Sequence, residues 1–211
     1  MMNINSTLYI VLTIFVALIT AILGPIIVTW VKIKLEKKSL QTPMSDALET
    51  STLVDTQLEI IMNELECDRV WIAQFHNGGY FYPTGRSIQK FSIFYEKCTP
   101  DTLNIQQIFQ NIPVSLFPRV LSKVYKDNEL YVSDIQKTED TYGLEYFTNQ
   151  CSTQSMCIVG LHSLDDHLIG IMCISFKEAH HLEKDEWIFI RQKVGVVGTL
   201  LSEYLYTTTK K

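Results

Sequence analysis

Residues 1–31 carry no charged side chain, and within them the run "LYIVLTIFVALITAILGPIIVTWV" at 8–31 is almost wholly apolar. About 20 such residues suffice for a helix to cross a bilayer. The run therefore predicts one transmembrane helix, with Gly24 and Pro25 at a kink that membrane helices tolerate. A cleaved secretory signal would instead want basic residues ahead of the run, a shorter apolar stretch and a small-residue cleavage site behind it.

The flanks give an orientation. Lys32, Lys34, Lys37 and Lys38 follow the run, whereas the seven residues before it have no side-chain charge. The positive-inside rule then places the C-terminal part in the cytoplasm, with Tyr9 and Trp30 near the two headgroup layers. The expected layout is a short extracytoplasmic tail at 1–7, a single-pass span at 8–31, a basic linker at 32–44 whose lysines meet lipid headgroups, one folded domain at 45–206 and a tail at 207–211.

Beyond the linker the hydrophobic period changes several times. Val54, Leu58, Ile61, Met62 and Leu65 recur at helical spacing after a capping Ser45 and an acidic Asp46. "RVWIAQF" and "KFSIFYE" alternate as strands do. In "TLNIQQIFQNIPVSLFPRVLSKVYKDN", Pro113 and Pro118 punctuate two expected helical pieces. "ELYVSDI" is a third strand, and the stretch after it is a loop with a short helix around Leu144, Tyr146 and Phe147. "SMCIVGLHS" and "HLIGIMCISF" form a hairpin across "LDD", and a long final helix carries Trp187, Ile190, Val194, Val197 and Leu201 along one stripe. Two helices bracketing five or six mostly antiparallel strands imply an α+β domain with helices on one face of the sheet.

Composition narrows the chemistry. With 18 basic and 23 acidic side chains and a formal charge of -5, nothing attracts nucleic acid. The cysteines, Cys67, Cys98, Cys151, Cys157 and Cys173, contain no Cys-x-x-Cys pair, and they match no set of metal ligands with His162, His180 and His181. The chain has neither a Gly-x-Ser-x-Gly elbow nor a phosphate-binding glycine loop. It is read as a non-enzyme; no cofactor is implied and none can be named.

The strand "RVWIAQF" after the first helix, the hairpin "CIVGLHSLDDHLIGIMCISF" with Gly170 behind its turn, and the closing helix resemble GAF-like domains, which share the general shape of PAS domains. The resemblance covers roughly residues 45–206. It implies that the first and last helices pack together on one face of the sheet and that the opposite face forms a ligand pocket. The strings "FHNG" at 75–78 and "NIPVSLFP" at 111–118 resemble those of small membrane-anchored GAF-like bacteriophage proteins. In outline the chain is also similar to the T-type lysis holins of T-even phages, although those send their soluble domain to the periplasm. Cys151 and Cys157 precede or begin a strand much as cysteines do in GAF-type methionine sulfoxide reductases, but the motif around them is different.

The candidate ligand site is a loop after Phe75. His76 and Asn77 can exchange hydrogen bonds with a ligand, Gly78 and Gly79 allow close backbone approach, Tyr80, Phe81 and Tyr82 offer stacking faces, and Arg86 offers a cation. Ser92, Tyr95 and Glu96 on the next strand join it, with Arg86 as one possible partner for a buried Glu96. The same string also reads as a turn whose aromatics cap the open end of a sheet. The implied activity is that of a membrane-anchored sensory or regulatory module that binds a small ligand or a protein. A homodimer is expected through Val194, Val197, Leu201 and Leu205, with Gly195 and Gly198 permitting close approach.

Overall fold

Val70, Trp71, Ile72 and Ala73 are all buried although alternate strand residues point to opposite faces. Such a strand must be covered on both sides, and the whole architecture supplies that cover. The computed structural model describes residues 23–24 and 43–209. The expected span at 8–31, apart from Leu23 and Gly24, and nearly all of the expected linker lie outside these residues. Among the described residues no helix is long and apolar enough to cross a membrane.

The elements run α1 (Pro43–Leu65), β1 (Arg69–Tyr80), β2 (Ser87–Cys98), β3 (Ile112–Pro113), a 3-10 turn (Val114–Leu116), α2 (Pro118–Asp127), β4 (Glu129–Val132), α3 (Glu145–Cys151), β5 (Ser155–His162), β6 (Leu168–Phe176) and α4 (Lys184–Thr209). Ala47–Lys211 form one compact unit. Its six strands lie in the order β3-β2-β1-β6-β5-β4, every pair antiparallel. The α+β expectation therefore holds. Helix α4 continues to Thr209, into the residues expected as a tail.

One sheet face is covered by α1 and α4. Val54, Leu58, Ile61 and Leu65 from α1 and Ile190, Val197 and Leu201 from α4 share a core with Val70, Ile72, Val159, Leu161, Met172 and Ile174. Each such side chain, fully buried, contributes roughly 1.5–3 kcal/mol, so the stripe spacing fixes which face of each helix turns inward. Two residues expected on a subunit seam, Val197 and Leu201, are completely buried in this core, and Val194 packs partly against it. Leu205 remains partly exposed. The close approach at Gly198 is likewise internal, because a Cβ there would lie 2.9 Å from the His162 carbonyl oxygen.

The other face is aromatic. Trp71, Phe91, Phe109, Phe147 and the half-buried Phe117 cluster over it, with Phe109 and Phe147 stacked at 5.5 Å and Trp71 and Phe147 at 6.4 Å. Val120 and Val124 of α2 complete the cover. Among the described residues the buried Trp71 indole N–H has no hydrogen-bond partner within this apolar packing.

The expected helix before Pro113 is absent; residues 102–111 form turns instead. Their amides are taken by the sheet: Ile105 and Gln106 donate to the Glu96 carboxylate, and Asn111 donates to Ser92 Oγ. One i to i−4 bond does form, Phe109 N to Ile105 O at 3.0 Å, but the ladder stops there because Phe109 O accepts from Ile93 N of β2 at 2.9 Å and Asn111 N is held by Ser92.

Gly170 faces Gln74 across the β1–β6 pair, and a Cβ there would overlap the Ala73 carbonyl oxygen and press within 3.2 Å of the Gln74 Cα. Gly170→Ala is therefore expected to destabilise the fold by about 1–3 kcal/mol through overpacking. Gly195 lies on an exposed helical face, and a Cβ there would meet nothing within 4 Å; Gly195→Ala should raise stability by about 0.5–1 kcal/mol. Opposite shifts of the unfolding midpoint in denaturant titrations would bear this out, and two equal shifts would contradict it.

Candidate functional site

The string His76-Asn77-Gly78-Gly79 is strand, not loop. β1 continues to Tyr80 and pairs with β2 through His76↔Lys90, Asn77↔Gln89 and Tyr80↔Ser87. The pairing partner overrides the turn preference of Asn-Gly-Gly. Gly79, at φ +109, sits in the irregularity between Asn77 and Tyr80, and Gly78 leaves the space that the Lys90 side chain occupies. The turn proper is at 81–86, where Phe81 N donates to Arg86 O and Gly85 N donates to Phe81 O, both at 2.8 Å. Pro83, Thr84 and Gly85 carried that signal in the sequence.

The expected site residues are distributed rather than gathered. His76 Nε2 lies 2.9 Å from Ser92 Oγ, which also accepts from Asn111 N at 2.8 Å. Asn77 Oδ1 accepts from Ser87 Oγ and Gln89 Nε2. Tyr95 packs toward the helix-side core, whereas Glu96 faces the aromatic side. Tyr80, Tyr82 and Arg86 stand exposed at the ribbon tip, Tyr82 at 98 %. The irregularity that leaves Phe94 without a partner between Ile72↔Tyr95 and Ala73↔Ile93 changes the strand's parity, so face cannot be counted evenly along β2.

Glu96 is paired with Arg69 and not with Arg86. Arg86 lies ten residues away at the far end of the ribbon, roughly 30 Å at the rise of a strand. Arg69 Nε and Glu96 Oε1 are 3.3 Å apart, with side chains 1 % and 0 % exposed. The Arg69 guanidinium also donates to Leu103 O at 2.7 Å, Thr153 Oγ1 at 3.3 Å and Cys151 O at 3.4 Å. Glu96 accepts from Ile105 N at 3.0 Å and Gln106 N at 2.6 Å. Burial pushes the Glu96 carboxyl above the usual carboxylate range, against the pull of these two amides and of Arg69. The group ties β1, β2, the 99–111 segment and the α3–β5 connection at one point.

The thiols offer no dithiol chemistry. Cys151 lies in the aromatic core and Cys157 in the helix-side core, so the sheet separates them. Burial raises the Cys67 thiol to about 12 and also drives Cys151, Cys157 and Cys173 upward. A thiol held protonated is a poor nucleophile. His180 stacks on Phe176 with ring centroids 3.9 Å apart and lies 3.2 Å from Glu186, and His162 meets Asn128 Oδ1 at 2.8 Å. Among the described residues no group of three or more His, Cys, Asp or Glu side chains is placed to hold a metal.

An open cleft of about 540 Å³ runs beside β2, lined by Ile93, Phe94, Gln106, Gln107 and Gln110. Gln106 Nε2 donates to Phe94 O and Gln110 Nε2 to Ile93 O, both at 2.7 Å. The cleft floor is therefore the partly exposed edge of β2, and its wall is the segment held by Glu96. Sequence reading missed it because the wall was expected to be helical.

No family model matches the sequence, and no curated protein matches it. Solved structures do. The blue-light-absorbing form of the PixJ GAF domain of Thermosynechococcus elongatus matches with a TM-score of 0.62 at 15% identity, over 81% of this chain and 94% of that one. The fold is that of GAF domains. A Synechocystis GAF domain in its photoproduct state gives 0.59 at 14% identity, over 77% and 99% of the two chains. The phycocyanobilin-bound GAF domain of a cyanobacterial phytochrome gives 0.59 at 15%, over 82% and 90%.

Arg69→Met would leave Glu96 buried without its counter-charge. It should cost about 3–5 kcal/mol, whereas Arg69→Met combined with Glu96→Leu should recover much of that loss. Denaturant unfolding of the three proteins measures it; a double variant no more stable than Arg69→Met would remove the pair as the cause.

Proposed function

We propose that this chain is a membrane-anchored GAF-like sensory or regulatory module that acts by binding and not by catalysis. The cleft beside β2 carries the reading. It is a shallow, open depression lined by uncharged side chains and walled by a segment that the buried Arg69–Glu96 group ties to the sheet. Occupancy there has a direct mechanical route to the centre of the domain.

The cleft also suggests a ligand class. Gln106 and Gln110 commit their amide N–H groups to backbone carbonyls, so their Oε1 atoms remain as acceptors. Phe94, about half exposed, adds apolar surface. A small, uncharged molecule with an apolar face and N–H or O–H donors suits that lining. A phycocyanobilin occupies the same fold in a cyanobacterial phytochrome. Here the face opposite α1 and α4 is filled by the aromatic core, which favours a ligand smaller than a tetrapyrrole.

Anchoring rests on residues 8–31 and orientation on the four lysines that follow. The GAF-like domain is then cytoplasmic. The alternative of a phage lysis protein requires the opposite topology.

Two measurements on the full chain test the proposal. A reporter fused after Lys211 should be active in the cytoplasm; activity only in the periplasm would overturn the topology and favour a lysis protein. Mass spectrometry of the detergent-purified chain should detect a co-purifying small molecule that falls at least tenfold in Gln107→Glu and Phe94→Ala. Unchanged retention in both variants would remove the cleft as the site.

A further inference from the structure

The β1–β2 ribbon outgrows the sheet. The last β1–β6 pair is Gln74↔Gly170, yet β1 continues for six more residues, roughly 20 Å at the rise of a strand. At its tip Tyr80, Phe81 and Tyr82 are 74 %, 54 % and 98 % exposed. Their backbones serve the ribbon and its turn, but their side chains do not cap the sheet end and are left largely exposed. Three adjoining exposed aromatics are the kind of apolar surface that soluble faces avoid.

Charge and position point to what they meet. In a chain of formal charge -5, no carboxylate occurs between Asp68 and Glu96. Arg86 is exposed and Lys90 half-buried in that interval, so the outer ribbon is purely basic. The acidic pair Asp165 and Asp166 belongs to the separate β5–β6 turn. Only residues 66–68 join α1 to β1, and Leu65 and Val70 share one core, so the chain doubles back at that point. The tip is thereby directed toward the end of the domain where α1 begins. α4 ends there too, since Ser202 Oγ accepts from Leu164 N at 3.1 Å beside the β5–β6 turn.

We propose that the ribbon tip, residues 80–86, seats in the headgroup layer of an anionic bilayer, with the three aromatic rings at the interface and Arg86 and Lys90 on lipid phosphates. The two tyrosine rings, each with a polar edge, favour that layer, Phe81 adds apolar area beside them, and basic side chains are drawn to anionic lipids. The inference rests on the proposal that residues 8–31 cross the same membrane. Residues 32–42, ahead of α1, then span at most about 40 Å even when fully extended. Tethering at that range presents the tip to the surface at an effective concentration on the order of millimolar, so a weak contact suffices. The contact would fix how the domain stands on the membrane.

The test uses the full chain in vesicles of phosphatidylcholine with phosphatidylglycerol. A nitroxide is attached at Tyr82→Cys in a Cys98→Ser background, with Tyr125→Cys on α2 as the exposed control. Flotation shows whether the chain is integral, and power saturation compares collisions with oxygen and with a water-soluble nickel chelate. The expected result is an oxygen-to-nickel ratio several-fold higher at 82 than at 125, falling when phosphatidylglycerol is left out. A chain that floats while both labels are equally open to the nickel chelate overturns the docking and leaves the anchor standing. A label at 82 shielded from both reagents also overturns it, in favour of a protein contact. A chain that fails to float overturns both the docking and the anchor.

Discussion

A buried arginine and a buried glutamate set the terms for one face of this domain. Ionised groups removed from water cost several kcal/mol each unless geometry and further hydrogen bonds compensate. Arg69 and Glu96 are compensated from two separate segments, Leu103, Ile105 and Gln106 of the 99–111 segment and Cys151 and Thr153 at the α3–β5 connection. A group bonded to both ties each of them to the sheet. It explains why residues 102–111, despite helical spacing of Ile105, Ile108 and Phe109, lie against β2 as turns. It also places Ile105 and Phe109 where they close the aromatic core.

The two cores have different physical characters. The helix side is an aliphatic stripe packing, the usual consequence of amphipathic helices on a sheet. The other side is built from rings, Phe109 and Phe147 stacked face to face with Trp71 and Phe117 around them. The face implied as a ligand pocket by resemblance is thus occupied by the chain's own side chains. What concavity remains has moved outward, to the margin of β2 beside Phe94, Gln106 and Gln110.

Much of the fold was legible. The α1 and α4 stripes are strong periodic signals, the β5 and β6 runs are apolar throughout on either side of a turn, and each became the element expected. The misreadings share one cause, which is that pairing across the sheet decides matters that local preference cannot. His76 to Gly79 has turn-forming composition, but His76 and Asn77 pair with Lys90 and Gln89 and Tyr80 pairs with Ser87, so the stretch remains strand. The partner of Glu96 was illegible because the unpaired Phe94 changes which face Glu96 occupies, and a buried arginine at a strand start gives no local sign of its partner. Val197 and Leu201 looked like a seam because an inward stripe and an intersubunit stripe have the same period; only the packed fold tells them apart.

Hydrogen exchange of the Ile105 and Gln106 amides tests the central claim, that the Arg69–Glu96 group holds the 99–111 segment on the sheet, most directly. These amides lie in a turn segment and donate to a carboxylate, not to a backbone ladder. The account predicts exchange as slow as that of Trp71 and Cys173 in the paired core strands, because the two sets open together. Exchange as fast as that of Thr84 in the exposed ribbon turn would show a free segment and contradict it.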